Sequence, residues 1–166
     1  MTVDLSELFE MSGKTEQKRI SLDINEISYG GQEYPVSSAE DFTLTLHNTE
    51  NKELSVEGKT KVDVTQSCAR CLKPVDVPYE LGFSYRVPLL DGGVRRNEDD
   101  EEFSFISDKV LDASAMVSEE LFLNLQTKVL CKEDCKGLCP VCGADLNKGE
   151  CGCDRVVIDP RMAQFQ

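Results

Sequence analysis

The sequence predicts an α+β fold: an antiparallel β-sheet, run as a meander, covered on one face by one main helix and followed by a cysteine-rich C-terminal tail. Three observations predict it. Long alternations of apolar and polar residues occupy the first half of the chain, a single four-residue apolar repeat follows, and hydrophobic periodicity stops where six of the eight cysteines begin. The division this suggests is a sheet-plus-helix domain over 1–130, with an acidic loop at 91–102, and a metal-binding tail over 131–166.

Taken in order, Ile20, Leu22 and Ile24 alternate with polar residues, as do Phe42, Leu44 and Leu46, and both segments read as half-buried strands. Asn48 to Lys52 is a polar turn leading into Leu54–Val64, where Leu54, Val56, Val62 and Val64 share one parity with Gly58 and Thr60. The clearest strand follows. Val75, Val77, Tyr79, Leu81, Phe83, Tyr85, Val87 and Leu89 all fall on one face, and Pro78, Gly82 and Pro88 mark expected bulges or edge positions. Between Leu90 and Glu102 the pattern gives way to a Gly pair and the acidic run Glu98, Asp99, Asp100, Glu101 and Glu102, which cannot build a core. Its simplest reading is a solvated loop, and its sharper one a patch for a basic partner. Ala113, Val117, Leu121 and Leu125 then recur at four-residue spacing beside Met116 and Phe122. They predict a helix, capped by Asp112 or Ser114, that covers the apolar face of the sheet or, in a minority reading, offers a groove to a partner. Val156 to Ile158 is an expected short strand, and 159–166 a loose end.

The chain has 166 residues and a formal net charge of −13, which excludes a generally basic nucleic-acid-coating protein. With 40% hydrophobic residues, 7 Phe and 4 Tyr, it can fill a core. No apolar run approaches a membrane span, and the N-terminus lacks the basic and apolar regions of a secretory signal, so a soluble, cytoplasmic protein without membrane contact is expected. In that reducing setting eight cysteines point to metal rather than to disulfides.

The cysteines form four short pairs: Cys68 and Cys71, Cys131 and Cys135, Cys139 and Cys142, Cys151 and Cys153. Eight thiolates make two closed four-sulfur sites, the arrangement zinc adopts in structural roles, and Gly143 after Cys142 supplies the positive φ a metal knuckle needs. Cys68-Ala-Arg-Cys71 falls at the tip of the predicted hairpin, and Cys131-Lys-Glu-Asp-Cys135 begins just after the helix. We therefore pair these as one zinc site and assign Cys139, Cys142, Cys151 and Cys153 to a second. A different partition, a single site using four of the six C-terminal cysteines, an iron–sulfur cluster and a redox Cys-x-x-Cys are the alternatives. Two zinc ions would make the charge more negative still.

Catalytic machinery is missing from the pattern. His47, the only histidine, reads as an ordinary residue at a strand end, and there is no phosphate-binding loop, dinucleotide fingerprint, His-Glu-x-x-His or nucleophile elbow. No small-molecule substrate is evident, and a non-enzymatic protein is expected.

Cys68-Ala-Arg-Cys71-Leu72 together with Cys135-Lys-Gly-Leu-Cys-Pro-Val-Cys-Gly-Ala-Asp-Leu-Asn147 and Cys151-Gly-Cys153 resembles the YceD family, the large ribosomal RNA subunit accumulation proteins of bacteria and plastids. The likeness spans nearly the whole chain. It implies a role in accumulation of large-subunit (23S) ribosomal RNA, hence in ribosome assembly, through a ribosomal protein or the rRNA. The resemblance also implies that some members lack the equivalents of Cys139, Cys142, Cys151 and Cys153 while retaining the Cys-x-Arg-Cys pair, which fits the division into two sites. Candidate RNA-contacting cations are Arg70, Lys132, Lys136 and Lys148, in a tail with as many basic as acidic residues from 128 onward. The acidic remainder would instead favour a basic ribosomal protein, the reading we slightly prefer. The competing class is a thiol and metal redox switch.

Overall fold

The computed structural model describes residues 1–29, 31–90, 93–94 and 103–154. By its internal contacts the chain divides into two units. The first holds Met1–Thr65 and Asp76–Gln126, the second Gln66–Val75 and the described residues from Thr127 on. Contacts thus group the hairpin tip with the tail, whereas a division at residue 130 assigns it to the sheet.

In the first unit, β1 (Thr2–Asp4) leads into the short α1 (Ser6–Glu10), and then come β2 (Thr15–Ile20), β3 (Glu26–Tyr29), β4 (Gln32–Ala39), β5 (Phe42–Thr49), β6 (Glu53–Ser67), β7 (Pro74–Leu90) and β8 (Gly93–Val94). β9 (Ile106–Ser107), β10 (Val110–Asp112) and α2 (Ala113–Asn124) complete it. Every strand pair with a defined register is antiparallel. β5 pairs with the start of β6, through Thr49 opposite Glu53, and β4 with its later part, through Ala39 opposite Val62. The two registers run nearly in line, so β4 and β5 form one broken ribbon along β6. β3 and β2 flank β4 and β5, and β7 also pairs with β6. The predicted meander is therefore present, with an extra interrupted ribbon at its edge.

The alternations place the core. Leu44, Leu46, Leu54, Val56, Val62, Val64 and Val87 are wholly buried, and each exposes its chain neighbours more than itself. Pro78 and Pro88 stand at exposed positions of β7, and a register break lies in β4, between Val36 and Ser38. The turn from β5 to β6 has Glu50 and Asn51 at φ of 52° and 56°, closed by Lys52 N–H donating to Thr49 O at 2.9 Å. Those paired positive values suit a type I′ turn over Thr49–Lys52, with three residues between the paired Thr49 and Glu53. Buried Asn48 fixes it: its Nδ2 donates to Leu8 O at 2.6 Å and to Asn51 Oδ1 at 2.8 Å, and its Oδ1 accepts from Asn51 N–H.

Three expectations change. The strand expected through Ile20, Leu22 and Ile24 ends at Ile20, because its partner β5 begins at Phe42, and Ser21 Oγ then donates to Asp41 Oδ1 as the chain leaves the ladder. A three-stranded sheet of β1, β10 and β9 stands where no element was expected, its residues Val3, Ile106 and Leu111 buried. Within 91–102, β8 pairs with the end of β7, through Leu89 opposite Val94, so the loop is not wholly irregular. The acidic residues Glu98 to Glu102 and the expected strand at Val156 to Ile158 lie outside the described residues.

Helix α2 spans the expected stretch. Asp112 caps it, its carboxylate accepting from Ser114 N–H and Ala115 N–H, and Ala113, Met116, Val117 and Leu121 are buried. On the same side of the helix Glu120 reaches β7, where the Tyr85 hydroxyl donates to Glu120 Oε2 at 2.7 Å. Just past the helix, Gln126 N–H donates to the Tyr79 hydroxyl. His47 is half-buried in β5 and shares a hydrogen bond with Thr15 Oγ1 at 2.8 Å. Among the described residues no helix is long and apolar enough to cross a membrane.

Candidate metal centre

In the second unit the eight cysteines gather into two groups, Cys68, Cys71, Cys131 and Cys135, and Cys139, Cys142, Cys151 and Cys153. Within each group the four sulfurs lie within 4.8 Å of one another. Cys68 Sγ stands 3.8 Å from Cys135 Sγ, and Cys71 Sγ 3.6 Å from Cys131 Sγ. A tetrahedron of thiolates around zinc, with bonds of about 2.3 Å, has edges of about 3.8 Å. A disulfide would bring sulfurs to about 2.05 Å, and all eight cysteines are free. The donor sets fit a thiophilic metal ion.

The backbone explains why the sulfurs converge. Cys68-x-x-Cys71 and Cys139-x-x-Cys142 form the same turn: Leu72 N–H donates to Cys68 O at 2.9 Å, and Gly143 N–H to Cys139 O at 2.9 Å. The closing residues have φ of 60° at Leu72 and 73° at Gly143. Glycine takes that conformation freely, whereas leucine is strained in it and here leaves its side chain 66% exposed. Around the first group, Cys68 N–H donates to Lys73 O within the hairpin tip, and Ala69 N–H donates to Val129 O, tying the tip to the segment that leads into the tail. Val75, Leu130 and Leu138 pack against Cys68, Cys71 and Cys135.

The thiols also show what each group needs electrically. Hydrogen bonding from the backbone of Cys131 lowers Cys68 to about 6, while burial and the neighbouring thiols push Cys131 up to about 12. In the second group the backbone of Cys142 and Val141 lowers Cys139 to about 6, and Cys142 and Cys151 push Cys153 up to about 12. Four sulfurs so close cannot all ionise unless a cation joins them.

The expected cations are placed unequally. Arg70 is committed to the backbone, its Nη1 donating to Cys135 O at 2.7 Å and to Glu133 O at 3.4 Å. Lys132 pairs with Asp134 at 3.6 Å. Lys136 and Lys148 are exposed, and among the described residues their ammonium groups form no ion pair. Sequence reasoning missed Lys73, Asp145 and Asn147. Lys73 Nζ meets Asp145 Oδ2 at 2.7 Å and, with hydrogen bonds from Asn147, holds that carboxyl well below the usual range. Their only signal in the sequence is their place beside the knuckles.

The profile described as Large ribosomal RNA subunit accumulation protein YceD matches residues 56–166. The chain belongs to the YceD family. The match takes in both cysteine groups. Uncharacterized proteins of Mycobacterium bovis and Mycobacterium tuberculosis are each 29% identical over 110 residues, covering 66% of this chain and 53% of theirs. The Arabidopsis thaliana protein named Large ribosomal RNA subunit accumulation protein YCED homolog 1, chloroplastic, is 26% identical over 63% of this chain and 40% of its own length. The chain thus spans about half the length, or less, of these relatives. No solved structure matches it.

Proposed function

We propose that this YceD-family protein is a non-enzymatic ribosome-assembly factor that supports accumulation of large-subunit ribosomal RNA, with one structural zinc in each cysteine group. The family match over residues 56–166 carries the reading, and the closed sulfur sets support the zinc. A catalytic zinc keeps a position open for water beside His or carboxylate ligands, whereas four thiolates per ion leave none. The sites would order short loops and present their exposed residues rigidly.

The direct partner is better read as a basic ribosomal protein than as rRNA. Phosphate binding needs several free cations, and of the four expected ones Arg70 and Lys132 already have partners. The net charge of −13 favours attraction to a basic chain.

The test has two parts. Elemental analysis with native mass spectrometry of the reduced full chain should find two zinc ions. In cells depleted of the protein, the ratio of large- to small-subunit rRNA should fall and recover with the intact chain. An unchanged ratio overturns the functional reading. Replacing Lys136 and Lys148 with Glu should leave recovery intact if a protein is the partner, and abolish it with loss of salt-sensitive RNA binding if rRNA is.

A further inference from the structure

Asn147 links the two cysteine groups. It sits in the loop between Cys142 and Cys151, so its position depends on the second group. Yet its Nδ2 reaches a sulfur of the first, donating to Cys135 Sγ at 3.5 Å. Its Oδ1 accepts from Lys136 N–H at 2.9 Å, directly beside Cys135. The same amide is held from behind, because Nδ2 also donates to Asp145 Oδ1 at 2.9 Å and Asn147 N–H donates to that oxygen at 3.0 Å. Asp145 is in turn anchored by Lys73, two residues beyond Cys71. Backbone bonds brace the arrangement on both sides, with Leu138 N–H on Arg70 O and Leu146 N–H on Gly137 O.

We propose that Asn147, held by Asp145, is a positioning residue through which the second cysteine group sets how tightly the first holds its metal. The inference rests on the reading that each group takes a metal ion. An amide N–H on a thiolate stabilises its negative charge and fixes the orientation of the ligand, and losing such an outer partner typically costs about 10–100-fold in metal affinity. When the second group is empty, the loop from Gly143 to Glu150 loses the anchors at its two ends, and the bond to Cys135 goes with it. Linkage makes the effect mutual: metal in the first group favours metal in the second by the same factor. Filling is therefore cooperative rather than independent.

The experiment loads the full chain with cadmium-113, counts ions by native mass spectrometry, and follows release from each group by cadmium NMR during chelator competition. Three variants are compared with wild type: N147A, N147D, which keeps an acceptor for Lys136 N–H but loses the amide donor, and C151S/C153S, which empties the second group. The first-group resonance should shift in both Asn147 variants, and release from that group should quicken by about tenfold or more in all three. Two ions per wild-type chain, with first-group release within twofold of wild type in the variants, overturns the coupling alone. Joint loss of both ions from N147A while N147D behaves as wild type overturns it too. Fewer than two ions in wild type overturns the metal reading beneath it.

Discussion

Replacing Gly137 with alanine measures how closely the two segments of the first cysteine group approach. Gly137 has φ of 76°, and a Cβ there would lie 2.9 Å from Arg70 O and 3.3 Å from Arg70 Cβ. Neither neighbour can yield cheaply, since Arg70 O accepts from Leu138 N–H and the Arg70 guanidinium is bound to Cys135 O. An L-residue in the left-handed region costs about 1–2 kcal/mol, and displacing Arg70 O forfeits a hydrogen bond of about 1 kcal/mol. The stiffer unfolded chain returns about 0.4–1 kcal/mol, leaving a net loss of about 2 kcal/mol. Gly143 is the control, with φ of 73° and nothing within 4 Å of a Cβ, so G143A should cost about 1 kcal/mol or less. Where metal binding drives folding, these losses are read as affinity, at tenfold per about 1.4 kcal/mol. Competition for zinc against a chelator of known affinity should show about 30-fold weakening for G137A and about fivefold for G143A. Equal weakening of the two would refute the close approach.

Two further predictions concern the first unit. Burial, and then its hydrogen bond to Glu120, raise Tyr85 above the ordinary value near 10. A raised value in the folded state stabilises fully below the unfolded pKa and is lost as pH rises through the folded one. The advantage of wild type over Y85F in thermal midpoint should therefore hold to about pH 10 and shrink above it, and a gap that stays constant to pH 11 would exclude the linkage. Asn48→Ala removes three hydrogen bonds made by one buried amide and strands Leu8 O, so urea unfolding should show a loss of about 2–3 kcal/mol. A loss below about 0.5 kcal/mol, the level of an ordinary surface change, would mean that water replaces the amide.

Legibility in the sequence followed physical range. The parity of Val77 to Leu89 and the repeat from Ala113 to Leu121 were readable because burial is imposed on one face over many residues. β1, β9 and β10 were not, since two or three residues cannot display a period. The β3–β4 pair hid behind Pro35 and a burial pattern with few apolar residues. At the candidate site the pairing of cysteine segments could be argued from turn and hairpin positions. The role of Arg70 could not, because its acceptors lie at Glu133 and Cys135 and a charged side chain suggests a ligand before it suggests a brace. Asn147 was quoted as part of a motif, but only coordinates show its amide aimed at Cys135.

The two cysteine groups differ in one respect that reaches beyond the tail. In the second group all four sulfurs come from a short stretch of chain, whereas Cys68 and Cys135 are 67 residues apart. A metal ion in the first group would thus be a reversible cross-link that closes a loop containing all of β7 and all of α2. By the loop-closure arithmetic used for disulfides, such a link removes entropy from the unfolded chain worth about 4 kcal/mol. Metal supply would then govern the melting of a sheet and helix that contribute no ligand, and a chelator would act on them through the statistics of the unfolded polymer.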